Sequence, residues 1–109
     1  MDDEEIRQYL QDLLETTFTG LGVYYRPPGD LILTRPCIIY EAKSSELSFA
    51  NNLPYVVGIA FQATILSDLP GYADKKRIFS MSGVVVNNNR SYVSNDIVHD
   101  VFTLSVNTI

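Results

Sequence analysis

From Tyr55 to Leu66 alternate positions sort into two unlike sides. Tyr55, Val57, Ile59, Phe61, Ala63 and Ile65 fall on one side, and Val56, Gly58, Ala60, Gln62, Thr64 and Leu66 on the other. A period of two is the period of a β-strand. At about 3.3 Å per residue such a strand spans about 40 Å. That is longer than a small globule needs, so one end is expected to project or to pair with a neighbouring chain. The first side is wholly apolar and predicts packing under helices. The second is small and mixed, and Gly58 and Ala60 on it would let another surface approach closely.

The other elements read less uniformly. Ile6, Leu10, Leu13, Leu14 and Thr17 recur at three- and four-residue steps, which predicts a helix over Asp2 to Thr17 with one apolar face. Asp2 or Asp3 would cap it, and Gly20 and Gly22 would stop it. Val23 to Arg26 is a short strand candidate, turned by Pro27-Pro28-Gly29-Asp30. Pro36 opens a second strand, Cys37 to Glu41, and the prolines predict strand starts or a sheet edge. Ala42 to Pro54 reads as a long polar connection that nevertheless carries Leu47, Phe49 and Leu53. Those residues either meet a partner or fold back over the domain's own core. Ser67 to Gly71 is a turn, followed by a short helix over about Tyr72 to Ser80, whose apolar side is Ala73, Ile78 and Met81 with Arg77, ended by Gly83. Val84 to Val86 is a strand, Asn87-Asn88-Asn89 a left-handed turn, and Asp96 to Val106 the last strand. Several strands with two helices predict an α+β fold: a small antiparallel β-sheet with an N-terminal helix and a second short helix packed on one face.

Composition narrows the function classes. The chain has 109 residues, one domain's worth, with 46% hydrophobic and 19% charged residues. We expect a single domain over residues 1–109. The formal net charge is −5, which argues against a nucleic-acid grip, since phosphate binding needs clustered Lys and Arg. The one basic run, Lys75-Lys76-Arg77, reads as a solvated helix face. The acidic start and the lack of a long apolar run argue against a signal peptide and a membrane span, and predict a cytosolic protein unless a particle carries it out.

Candidate chemistry is sparse. Cys37 is the only cysteine and His99 the only histidine, so neither an internal disulfide nor a zinc set can form from these types. Cys37 lies in an apolar run and reads as a small buried hydrophobe. His99 reads as a structural hydrogen-bonding residue, with Asp100 pointing to the opposite face of the strand. No glycine-rich phosphate loop appears, and Asp2 to Glu5 lack calcium-loop spacing. No catalytic set, cofactor or metal site is expected, which leaves an interaction protein by elimination. The seven tyrosines suit packing and interfaces.

Three segments then carry a resemblance. Tyr24-Tyr25-Arg26-Pro27-Pro28, Arg35-Pro36-Cys37-Ile38-Ile39-Tyr40-Glu41 and Phe49-Ala50-Asn51-Asn52-Leu53-Pro54-Tyr55 occur in that order, followed by Arg90-Ser91-Tyr92-Val93, Asn95, His99 and Phe102. The set resembles small tail-terminator (tail-completion, head–tail joining) proteins of tailed bacteriophages. It departs from that pattern at Ser67-Asp68-Leu69-Pro70, where more acidic residues are usual, and at Asn89, where an acid is common.

The resemblance implies a non-enzymatic virion protein in the tail or neck, assembled in the host cytoplasm. It implies a homo-oligomeric ring, usually hexameric, that caps the tail tube protein and joins it to the head–tail connector or stopper protein. DNA would pass through the lumen without specific binding, past an acidic wall that repels phosphate. The alternatives are a head-side connector or other neck protein, or a small non-viral protein-binding domain. A head-to-tail ring needs two unlike patches on each subunit. Leu47, Phe49, Asn51, Leu53 and Tyr55 are the candidates for one, and Arg90, Tyr92, Asn95 and His99, in a loop from Arg90 to Asn95 and the strand after it, for the other. The alternating strand is a plausible ring wall on the same reading.

Overall fold

The computed structural model describes residues 3–29, 33–50 and 53–107. The order is α1 (Asp3–Thr17), β1 (Gly22–Tyr25), β2 (Cys37–Ala50), β3 (Leu53–Asp68), a 3₁₀ helix (Lys75–Ser80), β4 (Val84–Ser94) and β5 (Ile97–Asn107). This is the expected α+β fold. The strands form one sheet in the order β1-β2-β3-β5-β4. Every neighbouring pair is antiparallel except β1 with β2. The body is elongated, 51 × 24 × 24 Å.

The four-residue step of α1 sets the packing. Ile6, Leu10, Leu14 and Phe18 are fully buried against the sheet, with Leu13 beside them. Each such side chain contributes roughly 1.5–3 kcal/mol on burial. Phe18 extends the predicted stripe by one turn. The helix stops where Gly20 adopts φ +94°, a conformation that favours glycine. Of the two capping candidates, Asp2 lies outside the described residues, and Asp3 is the first helical residue. Polar bonds fasten the helix: Gln11 Nε2 donates to the Val23 carbonyl at 3.1 Å, and Tyr9 Oη donates to the Ser82 carbonyl at 3.1 Å.

The alternation of β3 holds. Ile59, Phe61, Ala63 and Ile65 are core residues under α1 and the 3₁₀ helix, joined by Ile38 and Tyr40 of β2 and Phe102, Leu104 and Val106 of β5. The side chains of Tyr55 and Val57 lie outside the described ones. The strand is longer than expected at both ends, Leu53 to Asp68. Its far end does project: β5 pairs with β3 only from Gly58 onward, so Leu53 to Val57 have β2 alone beside them among the described residues.

Four expectations are corrected. First, Ala42 to Pro54 is not a long loop. β2 continues to Ala50 and β3 begins at Leu53, with Phe49 level with Pro54 and Leu47 with Val56. Ser and Glu have little strand preference of their own here, and the partner strand supplies the pairing. Second, Asn87 to Asn89 do not turn the chain. β4 runs through them, and the register steps between Val86 and Asn88 while β5 advances by one residue, a β-bulge at Asn87. Asn87 Nδ2 donates to Ser105 Oγ at 2.9 Å. Third, Arg90 to Asn95 is not a loop. Arg90 to Ser94 are strand, and the turn is the pair Asn95 and Asp96, with φ of 53° and 63°. Two positive φ values between the paired Ser94 and Ile97 make the tight hairpin turn whose twist matches the strands. Fourth, the second helix is a short 3₁₀ helix that begins at Lys75 rather than near Tyr72, and it buries Ile78.

Candidate interaction surfaces

Both helices lie on one face of the sheet. The other face has no helix over it among the described residues. Pairing register assigns the residues: Ile39 is level with Thr64, Glu41 with Gln62, Thr64 with Val101, Leu66 with His99, and His99 with Tyr92. The Asn87 bulge decides which β4 residues join them. It shifts the alternation by one, so Val84 and Val86 pack on the core while Arg90 and Tyr92 take the uncovered side. A concavity of about 400 Å³ opens on this side, where Arg26 and Pro27 flank Ile39, Glu41, Gln62 and Thr64. Arg26 has φ 46°, and its amide donates to the Tyr40 carbonyl at 3.0 Å, which carries the chain out of β1 beside β2.

Three of the interface candidates meet here. Tyr92 stacks on His99 with ring centroids 4.6 Å apart and planes 8° from parallel. The Arg90 guanidinium lies 5.9 Å from the centre of the Tyr92 ring. Asn95 sits in the adjoining turn. Leu47, Phe49, Leu53 and Tyr55 sit at the opposite end of the molecule, in the projecting β2–β3 arm. Their side chains lie outside the described ones, and Asn51 lies outside the described residues altogether. The two predicted patches are therefore well separated.

His99 Nδ1 lies 3.0 Å from the Ile97 carbonyl, where a protonated Nδ1 donates. Asp100 faces the other way, into the core, as alternation requires. No His–carboxylate dyad forms between them. Instead Lys75 Nζ donates to Asp100 Oδ1 at 3.1 Å. Asp100 is 0% exposed, and its Oδ2 has no partner. In the basic run Lys76 and Arg77 are exposed, and Lys75, its side chain 38% exposed, also reaches the buried carboxylate. Sequence reasoning missed this pair and the Arg26 concavity. Two hints were present, a lone Asp inside an apolar strand and a Lys at the start of the helix.

Cys37 is fully buried, and burial pushes its thiol up from the ordinary 9.0. Desolvation likewise raises the Tyr40 phenol, against the opposing hydrogen bond from Arg7. Arg7 is itself held in its charged form chiefly by Glu4 and then by Tyr40. A buried, protonated thiol is a poor nucleophile. Among the described residues, no group of three His, Cys, Asp or Glu is arranged to hold a metal ion, and no helix is long and apolar enough to cross a membrane.

The sheet keeps two free edges among the described residues. β1 covers β2 only from Cys37 to Tyr40, so the outer edge of β2 is unpaired from Glu41 to Ala50. The outer edge of β4 is unpaired throughout, and it exposes Val85 (60%), Tyr92 (45%) and Val93 (55%). Unpaired edges and clustered exposed apolar residues are places where other chains bind. Comparison of the sequence with family models and with curated proteins gives no match.

Proposed function

We propose that the chain is a structural protein of a tailed-phage virion, forming a ring that caps the tail tube and joins it to the head connector. On this reading the ring is hexameric, assembles in the host cytoplasm and catalyses nothing. The observation that carries it is the position of two of the segments on which the resemblance rests. Phe49 to Ala50 and Leu53 to Tyr55 lie in the arm that projects beyond the sheet, and Arg90 to Val93 lie on the free edge of β4. These two are thus at unlike places able to meet other chains, and a head-to-tail ring uses two unlike patches on each subunit. The net charge of −5 fits a lumen past which DNA slides.

The test is to image tails made with and without this chain. Loss of the chain should give tails of uncontrolled length that do not join heads. Tails of normal length on filled heads would overturn the reading. Normal length combined with headless tails would move the chain to the head-side connector.

A further inference from the structure

We propose that the free edge of β4 in one copy pairs with the free edge of β2 in a second copy, joining identical chains head to tail through one continuous sheet. This names the contact inside the ring proposed above, and it rests on that reading only for closure into a ring.

Direction, length and charge all bear on the choice of partner. β2 and β5 run one way and β3 and β4 the other, so β4 is already antiparallel to β2. A copy set alongside with its helices on the same side meets β2 in the antiparallel sense, and the sheet continues without reversal. β4 has 11 residues. From Asn88 to Ser94 it has no bulge, no proline and one charged residue, Arg90. Native edges are usually blunted by such devices, and this stretch lacks them. The free stretch of β2 carries Glu41, Lys43 and Glu46. Setting Arg90 level with Glu46 matches opposite charges. The same register brings Ser91 level with Ser45 and, across the β2 bulge at Lys43, Ser94 level with Glu41. Ser94 then ends beside β2 just past Tyr40, where β1 stops. The incoming strand fills the place that β1 leaves vacant. Pairing two β2 edges, or two β4 edges, would leave the unlike edge of each copy bare.

Disulfide trapping tests the register. Ser45→Cys and Ser91→Cys are purified as separate full-length chains, mixed and oxidised. Cys37 is buried and stays silent. The expected product is the mixed S45C–S91C dimer, absent when either chain is oxidised alone. Circular dichroism of each variant checks that it is folded. Dimers of S45C alone or of S91C alone would mean a two-fold contact and would overturn the proposal, as would the absence of any mixed product. A second arm uses charge. Arg90→Glu in the S91C chain should lower the mixed yield by about 2- to 10-fold, and Glu46→Arg in its S45C partner should restore it. A yield that ignores both changes overturns the register. The arms also separate this inference from the proposed function. Tails that need the chain while no mixed disulfide forms would remove only the edge contact. A mixed disulfide with no effect on tails would remove only the phage role.

Discussion

On β5, Phe102, Leu104 and Val106 sit beneath α1 and the 3₁₀ helix, while His99 and Thr103, on the alternate positions of the strand, look onto a side that no described helix covers. The same strands thus build two unlike surfaces. On the covered side the residues are large and apolar, and they interlock: Tyr40 lies 6.1 Å from Phe61, and Phe79 meets Phe102 edge-on at 6.1 Å. On the uncovered side they are mixed, with Gln62 and Thr64 beside Ile39 and Leu66, and several, such as Ala60, Thr64 and Val101, are buried without a helix over them. The covered side holds the fold. The uncovered side and the free edges are left to meet other molecules. Changes in the two regions should therefore separate into effects on stability and effects on assembly.

The largest expected effect breaks the covered side. Phe61→Ala should lower unfolding free energy by about 3–5 kcal/mol in a denaturant titration, through lost burial and the cavity left behind. Next is the half-buried pair Lys75–Asp100. Lys75→Ala strands the Asp100 carboxylate and should lower stability by about 1–3 kcal/mol, and adding Asp100→Asn should recover part of the loss. Full additivity of the two changes would mean that the pair is not coupled.

A smaller effect follows from pH. Folding raises the Cys37 and Tyr40 values above their ordinary 9.0 and 10.0. The unfolded chain gives up these protons first, so the stability they contribute is present below pH 9.0 and is lost as pH rises through the folded values. The melting temperature should fall on the alkaline side, and Tyr40→Phe should flatten that fall. The smallest effect on stability belongs to the arm. Phe49→Asp or Leu53→Asp should change it by no more than about 0.5 kcal/mol, the scale of surface substitutions, yet should impair binding to tail tubes. Loss of the folded circular-dichroism signal in either would place these residues in the core and undo the contrast.

The covered side was the more legible of the two in the amino-acid sequence. A single period carries α1 and another carries β3, and each needs no partner to be recognised. The second half of β2 and the middle of β4 were misread for one reason. Ser44, Ser45 and Glu46, like Asn87 to Asn89, have turn or loop preferences, and only the strand beside each makes it a strand. The bulge that turns Arg90 and Tyr92 onto the uncovered side is equally a product of pairing. The alternation around His99 and Asp100 was readable. The ammonium that meets the carboxylate was not, because 25 residues separate Lys75 from Asp100.

The place of β5 in the sheet has a consequence for synthesis. It follows the other described strands in the chain, yet it lies between β3 and β4. While a ribosome is still adding it, β3 keeps one side bare and β4 has no strand neighbour. Phe61, Ala63 and Ile65 then lack the strand that flanks them in the finished sheet, and the nascent chain is open to misassociation. Closure waits on contacts remote in sequence, which slows folding. Loss of Ile97–Asn107 should therefore leave β4 outside the sheet, held to the rest only through Val84, Val86 and the 3₁₀ helix.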